Sequence, residues 1–188
     1  MMIGLFYLAV LASVPLAGGR IGALADLRLR RSGLALAAIL MQIVIISLLP
    51  AGSHDLHRAV HVGSYLLLGA FAWSNRRVIG VPVIALGGLL NFLAITANGG
   101  VMPASRKALA SLPQVHEKGD FANSQVVAHP KLQFFGDVFA TPASWPVHNV
   151  FSLGDIVLFV GVAILLHATC ASRLAPRRFA AARVPAAA

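Results

Sequence analysis

Charged residues are scarce in this chain. Only 11% of the 188 residues are Asp, Glu, Lys or Arg, whereas about a quarter are charged in an average soluble domain. Hydrophobic residues make up 58% of the chain, and the mean hydropathy is +0.81. This composition argues against a water-soluble globule and favours a membrane protein, because about 20 mainly apolar residues form one helical span.

Acidic residues and cysteine are also few. Six acids stand against 15 basic residues, which gives a formal net charge of +9. The basic residues lie between hydrophobic runs and not along one stripe, so no nucleic-acid partner is predicted. The single cysteine, Cys170, excludes an intramolecular disulfide and a thiolate metal cluster, and an inert buried thiol is expected there.

Long, nearly uncharged runs alternate with short basic segments. Their length and their lack of strand-like alternation predict an all-α, polytopic membrane protein with about five transmembrane helices. The predicted spans are 2–19, 32–50, 59–75, 79–97 and 149–170, within a single membrane domain of residues 1–172. Residues 98–148 are expected to form a folded extracytoplasmic cap with a short helix from Pro103 to Leu112, and residues 173–188 a disordered basic tail.

The arginines predict an orientation for these spans. The first and third connecting segments and the C-terminal tail together carry ten arginines: Arg20, Arg28, Arg30, Arg31, Arg76, Arg77, Arg173, Arg177, Arg178 and Arg183. The positive-inside rule therefore places the N-terminus outside and the C-terminus in the cytoplasm, in a multi-pass protein of the plasma (inner) membrane. Membrane lipids are then the expected partners, and the oligomeric state stays open.

Two acids lie in apolar surroundings and are the candidate catalytic residues. Asp155, in NVFSLGDIVLFVG, is predicted about six residues into the last helix, where an ionisable group indicates function; the alternative is a carboxylate near the helix N-terminus, favoured by the dipole. Asp137, in FFGDVFATP, is either functional or a turn carboxylate after Gly136. If the two carboxylates meet, one can act as acid and the other as base. Their spacing does not decide whether they meet.

Polar residues near these acids are the candidate binding residues. Asn91 and Asn98 are seven residues apart and share one helical face, and Gly99 and Gly100 follow; Asn-Gly-Gly is also an ordinary helix stop. Asn149 and Ser152 precede Asp155 and complete the predicted set.

Histidines raise the question of a metal. His57 and His61, four residues apart, share a face and could ligate one, but an interfacial cluster of solvated imidazoles is the alternative and no second ligand set is evident. No metal site and no cofactor are predicted.

Two family resemblances follow from these motifs. The stretches NFLAITANGGVMPAS, GDFANS, LQFFGDVFATP and NVFSLGDIVLFVGV resemble an uncharacterised family of bacterial membrane proteins, domain of unknown function 5317, which offers no activity to transfer. The acids are similar to those of lipoprotein signal peptidase, an aspartyl intramembrane enzyme with one extracytoplasmic aspartate and a second in a motif like F-N-x-A-D at the start of the last span. Asp137 and Asp155 match those positions, and Asn98-Gly99-Gly100 resembles the family's Asn-x-Gly motif. Asn149 lies outside the register of that pattern.

Two functional hypotheses result. The first is a lipid-, peptide- or partner-binding membrane module with a polar site on its outer face. The second, which the signal peptidase resemblance implies, is an aspartyl-type intramembrane hydrolase. It would use Asp137 and Asp155 against a peptide or lipid-linked substrate, with Asn98 orienting the reacting group. Whether the chain is an enzyme stays open at this stage.

Overall fold

The computed structural model describes residues 2–44, 54–110, 124–142, 144–145 and 148–175. Within these ranges the chain forms six α-helices and four short strands. The helices are α1 (Met2–Leu16), α2 (Ser32–Ile43), α3 (His54–Ser74), α4 (Val81–Ala97), α5 (Arg106–Leu109) and α6 (Leu153–Thr169). The strands are β1 (Met102–Pro103), β2 (Ser124–Gln125), β3 (Asp137–Ala140) and β4 (Val150–Ser152).

The helices correct the prediction of a polytopic membrane protein. Along the described ranges, no helix combines the length and the apolar character that a bilayer crossing needs. Helices α4 and α6 have 17 residues each, or about 25 Å at 1.5 Å per residue, against a hydrocarbon core of about 30 Å. Helix α3 reaches 21 residues, but Asp55 and Arg58 lie near its start. The five predicted spans, the inner-membrane placement and the predicted orientation are therefore wrong.

The four strands also correct the all-α prediction. Strand β1 pairs in parallel with β2, and β3 pairs antiparallel with β4, with Asp137 opposite Ser152. A further bridge joins Ala104 to Asp137, so the two small sheets lie side by side. The helix expected between Pro103 and Leu112 is shorter. It begins after Ser105, whose side chain caps it, because Pro103 belongs to β1. Leu112 and the rest of 111–123 lie outside the described residues.

Glycines bring α4 and α6 into backbone contact. A Cβ atom added at Gly87 would lie 2.6 Å from the carbonyl oxygen of Gly154, and one added at Gly80 would lie 2.6 Å from that of Gly161. Gly80, directly before α4, and Gly87 are thus seven residues apart, as are Gly154 and Gly161 in α6, and these glycines lie where the two helices meet. Because Gly80 faces Gly161 while Gly87 faces Gly154, the two helices run antiparallel.

The remaining helices pack around this pair through side chains. The ring of Phe6 in α1 lies edge-on to that of Phe159 in α6, with centroids 5.6 Å apart. Helix α2 meets α3 where the side-chain amide of Gln42 donates to Ser64 at 2.9 Å. A buried apolar cluster forms at the C-terminal end of α4, from Ala94, Ile95 and Met102 with Tyr65 and Phe135 packed against it. This end of the bundle also holds the strands.

Candidate functional site

The N-terminus of α6 is built by a reciprocal pair of hydrogen bonds. The side chain of Ser152 accepts from the backbone N–H of Asp155 at 3.0 Å, and the backbone N–H of Ser152 donates to Asp155 Oδ2 at 3.0 Å. This capping box places Asp155 in the first helical turn. The prediction that Asp155 lies six residues into the helix is therefore wrong, because 150–152 form strand and cap and the helix begins at Leu153.

Asn91 of α4 closes a polar ring with these two residues. Its Nδ2 donates to Asp155 Oδ1 at 2.8 Å, and its Oδ1 accepts from the hydroxyl of Ser152 at 2.8 Å. Asn91 reaches this position because Gly154 has no side chain; a Cβ atom there would overlap Asn91 Oδ1. Most of this polar ring is shielded from solvent, since Asn91 is 5% exposed and Ser152 is fully buried. Three side chains, from α4, β4 and α6, are thus fixed by complementary donors and acceptors.

Asp137 lies in β3, across the strand pair from Ser152. Its side chain is 5% exposed and accepts a hydrogen bond from the hydroxyl of Ser124. Burial raises the pKa of Asp137 to about 6; the Ser124 hydrogen bond opposes this rise, and the negative charge of Asp155 adds to it. Among the described residues no hydrogen bond joins the two carboxylates. They influence each other through space: Ser152 is hydrogen-bonded to Asp155 and lies opposite Asp137 in the strand pair.

Two tyrosines complete the surroundings of the acids. Burial raises the pKa of Tyr65, and the charges of Asp155 and then Asp137 raise it further. Burial also raises the pKa of Tyr7, with a contribution from Asp155. Tyr65 therefore lies within electrostatic reach of both acids, whereas Tyr7 responds to Asp155 alone. We call Asn91, Ser124, Asp137, Ser152 and Asp155 the acid cluster.

A cleft opens beside Asp155, between α1, the start of α6 and the strand pair. Its volume is about 140 Å³. Most of its wall is aromatic or aliphatic, and its polar members are a carboxylate, a hydroxyl, an amide and a phenol. The lining residues are Phe6, Tyr7, Thr141, Asn149, Phe151, Asp155, Ile156 and Phe159. We call this space the aromatic cleft.

The other predicted binding residues separate into two places. Asn149 lines the aromatic cleft, and its backbone pairs with Thr141. Asn98 instead holds residue Lys131: its Nδ2 donates to the Lys131 carbonyl at 2.7 Å and its Oδ1 accepts from the Lys131 N–H at 2.9 Å. Gly99 and Gly100 follow with φ of 73° and 93°, so they form the helix stop. Within the described residues, the Asn98 side chain bonds to Ala94 and Lys131 and not to the acid cluster, so it stabilises a turn.

The predicted histidine pair is only partly described. The side chain of His57 lies outside the described residues, whereas His61 is 2% exposed and its ring lies 5.4 Å from that of Tyr65. Neither ring nitrogen of His61 has a hydrogen-bond partner in the described part of the chain, and burial lowers its pKa. Within the same ranges, no three His, Cys, Asp or Glu side chains are grouped in a way that could hold a metal ion.

Several site residues have a weak signal in the sequence or none. Tyr7 and Tyr65 are the two tyrosines of the chain, and a phenol in an apolar helix usually finds a polar partner, which was a usable signal. Ser152 and Asp155 fit the Ser-x-x-Asp capping pattern. Ser124 had no signal, because its contact with Asp137 depends on the pairing of distant strands.

Comparison with known proteins identifies a family for this chain but supplies no activity. The model of the family of unknown function DUF5317 matches residues 26–167, most of the chain. An uncharacterised protein of Thermotoga maritima is 30% identical over 101 residues, which are 54% of this chain; the chain spans 58% of the length of that relative. No solved structure matches. The resemblance to lipoprotein signal peptidase stays a prediction. The resemblance to domain of unknown function 5317 is confirmed: the chain belongs to the DUF5317 family of unknown function.

Proposed function

We propose that the chain is a ligand-binding protein whose aromatic cleft takes a small organic cation, an ammonium group carried on an apolar ring or chain. The observation that supports this is the Asp155 carboxylate in an otherwise mainly aromatic wall. Asp155 accepts from two neutral donors, Asn91 and the Ser152 N–H, and no basic side chain pairs with it in the described part of the chain. A partly buried carboxylate without a cationic partner favours a cationic ligand.

The remaining wall of the cleft suits the same ligand. The faces of aromatic rings attract cations, and the cleft holds Phe6, Tyr7, Phe151 and Phe159. Its volume of about 140 Å³ is close to that of an apolar cavity that accepts benzene, so one ring with a short amine fits. If the ligand is the peptide or lipid-linked molecule predicted from the sequence, its ammonium group would lie in the aromatic cleft.

The test compares benzylammonium with its neutral counterpart benzyl alcohol by calorimetric or NMR titration at pH 7. We expect the cation to bind with a Kd of roughly 1 mM or below, given its eight heavy atoms, and the alcohol more weakly. Asp155→Asn should weaken the cation by about tenfold, since a charge-assisted hydrogen bond is lost, and should leave the alcohol unchanged. Equal binding of the two probes, or a cation Kd unaffected by Asp155→Asn, would refute the proposal.

Two further variants make this test specific. Asp26→Asn removes the same charge from an exposed position outside the cleft, so it should leave the Kd of benzylammonium unchanged. Ile156→Trp adds bulk to the cleft wall and should abolish binding of both probes. If Asp26→Asn weakened binding as much as Asp155→Asn, the attraction would be to net charge and not to the cleft.

One observation favours acid–base catalysis as a second candidate. The raised pKa of Asp137, about 6, with a second carboxylate nearby, is the arrangement in which one acid holds a proton that the other lacks. A hydrolase of this kind should cleave a fluorescently labelled casein, and Asp137→Asn and Asp155→Asn should each abolish cleavage while melting remains cooperative. Cleavage retained by either variant would contradict it. The lack of a hydrogen bond between the carboxylates in the described ranges makes ligand binding the better-supported function.

A further inference from the structure

A second cleft, of about 210 Å³, lies at the other end of α4 and is lined by four arginines. Arg28 and Arg30 come from the segment before α2, and Arg76 and Arg77 come from the turn between α3 and α4. Ser74, Asn75 and Val78 complete the lining, and no acidic residue takes part. We call this space the arginine cleft.

A buried asparagine holds the two arginine segments together. The side-chain Oδ1 of Asn75 accepts from the backbone N–H of Arg30 at 2.8 Å, and its Nδ2 donates to the Arg30 carbonyl at 2.9 Å. Nδ2 also donates to the carbonyl of Phe71 at 2.8 Å, which fixes the asparagine on α3. Asn75 is 3% exposed. Segments 45 residues apart in the chain are thus joined at one point by a rigid amide.

The lining of this cleft supplies four positive charges and no negative charge. None of the four arginines forms an ion pair there, although each is exposed and near the others in the lining. Arg76 is oriented by its neighbour: its guanidinium lies 4.4 Å from the centre of the Trp73 ring and donates to the Trp73 carbonyl at 2.9 Å. A guanidinium has five N–H donors, so most of the donor capacity remains for a ligand.

We propose that the arginine cleft binds a phosphate group. Holding like charges together costs free energy, which a ligand with two or more negative charges would offset. Arginine matches the planar pairs of oxygens that a phosphate presents, and serine and backbone donors commonly supplement it. The four charges are confined to one cleft and do not form a stripe, so a compact anion fits better than a polymer.

The test is calorimetric titration with pyrophosphate at low salt, using the full chain. The double variant Arg28→Gln with Arg77→Gln should weaken binding by roughly tenfold or more, because two charge-assisted contacts are lost. Arg20→Gln with Arg106→Gln makes the same change of net charge at exposed positions outside the cleft, and should preserve the wild-type Kd. Thermal melting of both doubles checks that each folds.

Vesicles distinguish the source of the phosphate. Wild-type protein and both double variants are sedimented with vesicles of phosphatidylcholine alone and of phosphatidylcholine with phosphatidic acid. Cleft-dependent binding of free pyrophosphate supports a soluble phosphate compound, and cleft-dependent binding only to phosphatidic acid vesicles supports a lipid headgroup. Equal weakening in both double variants, or no binding of either probe, would overturn the proposal. Neither outcome bears on the aromatic cleft, which is assayed with cations.

Discussion

Replacing Gly87 by alanine should force α4 and α6 apart. The new Cβ would lie 2.6 Å from the backbone oxygen of Gly154 and 2.6 Å from the backbone nitrogen of Leu158. Ordinary van der Waals contact begins near 3.4 Å, so the helices must separate by nearly 1 Å. Both neighbours are backbone atoms, and no side-chain rotation can relieve the overlap.

The magnitude follows from two opposing terms. Overpacking a tight contact costs about 1–3 kcal/mol, and more where backbone must move. Alanine in a helix interior gains about 0.5–1 kcal/mol over glycine, which offsets part of this. We expect a net loss of about 1–3 kcal/mol, and hence a fall in Tm of roughly 3–10 °C for a chain of this size.

Thermal melting followed by circular dichroism measures the effect, and the neighbouring glycine provides the control. A Cβ at Gly88 would have no heavy atom within 4 Å, so Gly88→Ala should match or slightly exceed the wild-type Tm. Separation of α4 from α6 should also pull Asn91 away from Asp155, so the Gly87→Ala protein should bind benzylammonium more weakly than the wild type does. A Gly87→Ala protein as stable as Gly88→Ala would refute the argument that backbone contact sets the helix spacing.

Three other substitutions test the polar interior. Burial raises the pKa of Asp137 from 3.8 to about 6, so the folded state binds this proton more tightly than the unfolded state does. Protonation of Asp137 therefore adds to the free energy of unfolding at low pH, and this contribution is lost as the pH rises from about 4 to 6. Asp137→Asn should therefore flatten the fall in unfolding free energy across that window, measured by urea titration at several pH values; an unchanged slope would contradict it. Ser152→Ala removes the α6 cap and a partner of Asn91, and should cost about 1–2 kcal/mol in the same assay, whereas Ser74→Ala, a hydroxyl on the exposed end of α3, should cost less. His61→Phe removes two buried ring nitrogens without partners in the described chain and should raise stability by about 1 kcal/mol; a loss would indicate that the imidazole has a polar role.

The approximate positions of the long helices could be predicted from the sequence, but the residues at which they begin and end could not. Four predicted segments overlap α1, α3, α4 and α6, and each of these helices ends close to the predicted end, because uncharged apolar runs are readable in the sequence. The remaining predicted segment, 32–50, contains α2, which ends at Ile43, and most of the rest of that segment lies outside the described residues. The error lay in treating each run as helix throughout. Helix α1 ends at Leu16 and not at 19, and 150–152 form strand and cap, so α6 begins at Leu153 and not at 149.

The candidate site shows the same division. Asn91 and Ser152 could be selected because each is polar within an apolar run near Asp155. Asp137 joins them only through the register of β3 with β4, and strands of three and four residues carry too little pattern to predict such pairing. The contact that Asn98 makes was equally hard to predict, because its partner Lys131 lies 33 residues away and is set by tertiary structure.

The Asn98 turn gives the protein a chemical ageing site. Asparagine side chains deamidate slowly, most readily before glycine, whose backbone is least shielded, and Gly99 follows directly. The nitrogen lost in that reaction is the one that donates to the carbonyls of Ala94 and Lys131. The product is a carboxylate that faces two carbonyl oxygens, so one of the two hydrogen bonds between Asn98 and residue 131 is replaced by repulsion, while the bond from the Lys131 N–H remains. Deamidation would therefore loosen the turn where residue 131 is attached to the end of α4.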